Sequence, residues 1–169
     1  MSCLNRKQLS NCLNRKQIFS EVINHSRRKN TAGNAVSEID IHKYKDYNFS
    51  EIYTEIYNIF STIDGLGNLA VYDTTSAICK YHNKNIDKVY IIGNGPKRAI
   101  KKLNLIHKLN KMITGYDSNE KPITIKYVEI SDILEAFPNN GYDLPNLIDK
   151  NCIDGDFIES NICIWQKDI

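Results

Sequence analysis

Apolar residues recur at helical spacing along much of this chain. Ile52, Ile56, Ile59 and Phe60 form one stripe with Tyr53 and Tyr57 beside it, which predicts a helix capped by Ser50 with Glu51 in its first turn. Val71, Thr74, Thr75, Ile78 and Cys79 predict a second helix over 69–83, broken by Asn83-Lys84-Asn85. Earlier, Ile18, Val22 and Ile23 mark an amphipathic helix over 16–29 that ends in Arg27, Arg28 and Lys29. Later, Pro96 suits a first helical turn. Ala99, Ile100, Leu103, Ile106, Leu109 and Met112 then predict one long helix, stopped at Gly115. Residues 122–128 alternate apolar and polar and make the best strand, while Ile86 to Ile92 fits helix or strand equally. Shorter helical turns follow Ser131 and lie within 144–153, and a final helix covers Gly155 to Trp165. The expected fold is mainly α, with at most a minor strand near 122–128. Residues 1–36 read as a mobile basic arm with a linker over 30–36, and residues 37–169 as a single helical domain.

Two glycine pairs punctuate this pattern. Gly65-Leu66-Gly67 joins the helices at 52–60 and 69–83, and Gly93-Asn94-Gly95 opens the helix begun by Pro96. Glycines around one apolar residue permit a sharp turn. The amides beyond the second glycine then lie at a helix start, where an anion is favoured. Such a turn also serves as a mere connection between helices. The candidate phosphate contacts are Gly65, Gly67, Gly93, Gly95, Lys97 and Arg98, with Lys101 and Lys102 as flanking attraction. Each lysine should change the salt dependence of binding and not sequence choice.

Charge changes the picture more than composition does. Hydrophobic residues at 41% and charged residues at 25% are ordinary for a globular protein. The formal net charge of +2 conceals segregation: residues 80–111 hold nine Lys or Arg against Asp87 alone, and residues 112–169 hold four against eleven acids. The first block suits a phosphate backbone, although solvated helix faces are often lysine-rich. The acidic block confines any nucleic-acid face to one side and offers a protein partner a different one. No run is long enough to cross a membrane as a helix, and Met1-Ser2-Cys3-Leu4-Asn5-Arg6-Lys7 leads into no apolar block, so no secretory signal is expected. Five cysteines without a Cys-x-x-Cys pair disfavour a disulfide scaffold and a zinc ribbon and suggest reduced thiols in the cytoplasm. His25, His42, His82 and His107 lack metal-ligand spacing, so neither metal nor cofactor is expected. Glycine spacing excludes a P-loop, and Arg98 in place of a third glycine argues against dinucleotide binding. Tyr44, Tyr47, Tyr53 and Tyr57 are candidates for base stacking or, more simply, for the rim of a helical core. The repeat Cys3-Leu4-Asn5-Arg6-Lys7-Gln8 and Cys12-Leu13-Asn14-Arg15-Lys16-Gln17 is too short for a solenoid and reads as a local duplication.

The helix, Gly-Leu-Gly turn and helix at 52–80 resemble a helix-hairpin-helix motif, with Val71 where the family ordinarily has a small residue. The second pair, with Ala99 six residues after Gly93, resembles a tandem copy, so that hairpins would lie near 63–70 and 92–99. More narrowly, Gly65-Leu66-Gly67-x-Leu69-x-Val71-Tyr72-Asp73-Thr74, with Val89-Tyr90 beyond it, resembles a group of small bacterial proteins. Ile162-Cys163-Ile164-Trp165 is similar to that group's C-terminal pattern. The helix-hairpin-helix resemblance implies DNA binding through phosphates, without catalysis. A protein-interaction module with a purely structural hairpin is the alternative. A second alternative is a monofunctional DNA glycosylase, because Asp87 stands twenty residues after Gly67, where such enzymes carry an aspartate.

Overall fold

The computed structural model describes residues 15–168 apart from Leu147 and Asp149, without the side chains of Arg15 and Lys16. Most of the tandem repeat and the start of the basic arm lie outside the described residues. The chain packs as two compact units, residues 15–84 with 113–123 and residues 85–112 with 124–168.

Among the described residues the first unit carries the α-helices α1 (Arg15–Ile18), α2 (Ser20–His25), α3 (Lys29–Ser37), α4 (Phe49–Phe60) and α5 (Asn68–Tyr81). Helix α4 starts earlier than its apolar stripe suggests. Asn48 caps it: its Oδ1 accepts from Glu51 N at 2.9 Å, and Glu51 Oε2 accepts from Asn48 N at 2.7 Å. This reciprocal box satisfies two orphan amides and places Ser50, the expected cap, inside the first turn. Ile52, Tyr53, Ile56 and Phe60 are buried, as the stripe requires. The linker expected over 30–36 is instead helix α3, which buries Ala32, Ala35 and Val36. Its small polar residues look like a loop, but two alanines and a valine on one side are enough to anchor a helix to a core. The single helix expected over 16–29 is interrupted at Phe19, whose side chain is fully buried.

The second unit carries β1 (Lys88–Tyr90), α6 (Asn94–Lys102), α7 (Ile130–Asn139) and α8 (Gly155–Trp165). Strands β2 (Asn110–Tyr116) and β3 (Pro122–Glu129) form a hairpin whose tip, residues 113–123, belongs to the first unit. The sheet is antiparallel in the order β1-β3-β2, with Val89 opposite Val128 and Tyr90 opposite Tyr127. This three-stranded sheet overturns the expectation of a mainly α fold with at most one minor strand. The fold is mixed α and β.

The physical reason lies at Asn104. Helix α6 ends there with Asn104 left-handed at φ +58°. Leu105 N bonds Ile100 O at 2.8 Å and Asn104 N bonds Lys101 O at 3.2 Å, a Schellman stop. The chain that leaves this stop enters β2, so Leu109 and Met112 are not helical. Helix α5 stops in the same way at Asn83 (φ +54°), and α7 at Gly141 (φ +75°). The hairpin turn is held by Asp117, whose Oδ1 accepts from Asn119 N and Lys121 N at 2.8 and 2.9 Å. In the first unit Gly115 lets the hairpin cross α4 closely, since a Cβ there would lie 2.5 Å from Thr54 Oγ1.

The core of the second unit unites Val89, Ile100, Leu103, Val128, Ile133, Phe137, Ile158 and Ile162. Trp165 closes it edge-on against Phe137. Helix α8 spans the expected residues. Asp154 caps it by accepting from Asp156 N at 3.1 Å, and Gly155 brings its first turn onto β1, where a side chain would strike the Lys88 carbonyl.

Candidate nucleic-acid interface

The first glycine pair joins α4 to α5, as its pattern predicts. Gly65 sits at φ +89°, where L side chains are strained, and this backbone favours glycine; a Cβ there would also lie 2.8 Å from Arg28 Cδ, the outer part of a flexible side chain that can move aside. Leu66 is only half-buried, so it does not plug the hairpin fully. Gly67 differs. Its φ of −107° and ψ of −170° suit any residue, and nothing lies within 4 Å of where a Cβ would be. It is the N-cap of α5 and makes no side-chain cap.

The junction of α2 and α3 lies over this turn. Arg28 Nη1 donates to Asp64 Oδ2 at 2.7 Å, with both side chains more than half exposed, and such a pair contributes little stability. His25 Nδ1 lies 2.9 Å from Oδ2 of Asp73, whose side chain is only 8% exposed while the imidazole is 54% exposed. His25, Arg27, Gly65, Gly67 and Asp73 line one concavity of about 180 Å³, floored in part by Val22. Besides Arg28, the tertiary structure thus brings His25, Arg27 and the buried Asp73 to the candidate turn. None of the three was expected there. The only signal was Asp73 within the Tyr72-Asp73-Thr74 stretch, and nothing linked it to His25, 48 residues earlier.

The second glycine pair is not a second hairpin. It follows β1 and opens α6, giving strand–turn–helix in place of helix–turn–helix. Gly93 adopts φ +76° as the N-cap of α6. Gly95 is demanded by packing, because a Cβ would collide with Cys163 Sγ of α8. Neither glycine needs a ligand to explain it. Lys97, Arg98 and Lys101 are exposed on α6, and among the described residues they form no ion pair. Lys102, by contrast, donates to the carbonyl of Gln166 at 2.5 Å beyond the end of α8, so it holds helix ends together and is not left to flank a phosphate.

Asp87 stands before β1 with its side chain 75% exposed, 3.3 Å from the adjoining Lys88 Nζ. It lacks the closed, dry surroundings in which a flipped base is held. Tyr44 and Tyr53 are core residues, and burial pushes both phenols well above their usual range. They are not stacking surfaces. Burial, first of all, also raises the Cys163 thiol. Cys163 is a free thiol, whereas Cys152 takes part in a disulfide, which departs from the expectation of reduced thiols.

Among the described residues no group of histidines, cysteines and carboxylates is arranged to hold a metal ion, and no helix is long and apolar enough to cross a membrane. No family model, curated protein or solved structure matches this chain. The helix-hairpin-helix resemblance therefore stands on the residues of the turn and its two helices.

Proposed function

We propose that this protein is a cytoplasmic, non-catalytic nucleic-acid-binding protein that takes DNA through its backbone phosphates with little regard to sequence. The observation that carries this reading is Gly67. Neither backbone strain nor packing requires glycine there, yet it heads a fourteen-residue helix inside a concavity that Arg27 lines. A missing side chain at such a point allows a phosphate to approach the amides of the first turn. Lys97, Arg98 and Lys101 supply a second, exposed basic face on α6, suited to attraction at longer range.

Fluorescence anisotropy with labelled single-stranded and duplex DNA across a salt series tests the proposal. Wild type should bind with a Kd of roughly 1–100 µM near physiological salt, weakening steeply as salt rises. Gly67→Val and Lys97→Glu/Arg98→Glu should each lose most of that affinity while remaining folded. An absence of binding even at low salt overturns the reading and moves it to a protein partner, for which the exposed Ile113 and Tyr116 offer apolar surface.

A further inference from the structure

Single-stranded and duplex DNA make different demands on a protein. A single strand gains affinity when successive bases stack on exposed rings, each stacked base being worth at least about fivefold. A duplex keeps its bases stacked on one another and offers denser phosphate charge. Each contact to it carries a salt exponent of about 0.9, against about 0.7 on a single strand. From equal affinity at about 1 M salt, three such contacts favour the duplex roughly threefold at about 150 mM. One well-placed exposed ring therefore outweighs the charge advantage, and without one the duplex is ahead.

All ten tyrosines, all five phenylalanines and Trp165 lie among the described residues. Only Tyr116 is exposed, at 58%. The other rings are buried or half-buried, and several are already committed to one another. Phe49 stacks on Tyr53 with centroids 5.8 Å apart, Tyr47 meets Tyr44 edge-on at 5.4 Å, and Tyr142 meets Trp165 edge-on at 5.2 Å. Rings packed in this way give a base little face to stack on. Tyr116 ends β2 and leads straight into the turn that carries Asp117 and Glu120 against Lys121. A phosphate joined to a base on that ring would meet two carboxylates and one ammonium. The exposed cations belong to a different element. On α6, Pro96, Ala99 and Ile100 turn inward while Lys97, Arg98 and Lys101 stay exposed.

Resting on the nucleic-acid reading above, we propose that this protein takes duplex DNA in preference to single-stranded DNA and leaves the bases paired, because it offers exposed cations without exposed rings beside them. The α6 face meets the phosphates, and nothing on it competes with base pairing.

The test is direct anisotropy titration of the full chain with a labelled duplex and with a labelled thymine homopolymer. The homopolymer carries the same number of phosphates and forms no hairpin. The duplex should bind about threefold tighter at about 150 mM salt and about sixfold tighter at about 50 mM, with the steeper salt dependence. Tyr116→Ala, checked for folding by circular dichroism, should leave both affinities unchanged. A homopolymer that binds as tightly as the duplex, or more tightly, overturns the preference and leaves the nucleic-acid reading intact. A folded Tyr116→Ala that loses single-strand affinity also overturns it, since that ring then stacks a base. If Tyr116→Ala does not fold, the wild-type comparison decides. Wild type that binds neither form at low salt overturns the nucleic-acid reading itself.

Discussion

Gly65-Leu66-Gly67 and Gly93-Asn94-Gly95 share one spacing and do opposite work. In the second pair both glycines answer to the protein. Gly93 takes a left-handed backbone, and Gly95 gives up its side chain so that α8 can bring Cys163 against α6. In the first pair only Gly65 is so constrained, by its φ of +89°. Gly67 is constrained by nothing inside the described structure and opens into a concavity. A glycine that packing does not require is better evidence for a ligand than one that it does, because packing already accounts for the second.

Substitutions can break this contrast, and the largest effect belongs to Gly95. Gly95→Ala forces a methyl group into Cys163 Sγ and should cost about 1–3 kcal/mol, as overpacking does. Adding Cys163→Ala should recover part of that loss in a thermal or denaturant double-mutant cycle. Simple additivity would show that the two side chains do not compete for one space. Gly65→Ala comes next, at about 1–2 kcal/mol for a left-handed L-residue, read as a lower denaturant midpoint with unchanged slope. An unaltered midpoint there would remove the distinction between Gly65 and Gly67. Gly67→Ala should shift stability by no more than about 0.5 kcal/mol and still weaken DNA binding. Lys97→Glu/Arg98→Glu should leave stability nearly untouched while flattening the salt dependence of DNA binding by about one unit of slope per lost contact.

The buried tyrosines add a pH boundary within the first unit. Burial raises Tyr44 and Tyr53 above the ordinary value near 10, so the unfolded chain ionises first. Their contribution to stability is fully present below pH 10 and falls as pH rises beyond it. Tyr53→Phe should reduce that alkaline loss in pH-dependent thermal melts.

How much of this was legible follows the helix stops. Asn83 and Asn104 end their helices by the same left-handed device. Asn83 stands in the polar run Asn83-Lys84-Asn85, which announces a break. Asn104 stands between Leu103 and Leu105, both of which pack inward, so the apolar rhythm runs through it and mimics one long helix. That continuity conceals strand β2 and produces the expectation of a mainly α fold. Helix α3 was missed for the converse reason, since its Gly33 and asparagines mask a buried alanine face.

Read alone, the chain specifies helices α4, α5 and α8, the turn at Gly65–Gly67 and the strand beginning at Pro122. Each is written in side chains close together, through period, glycine and alternation. The sheet, the role of Gly95 and the pairing of His25 with Asp73 depend on residues far apart in the chain. Contacts of that kind are set by which surfaces bury one another, and no local pattern records them.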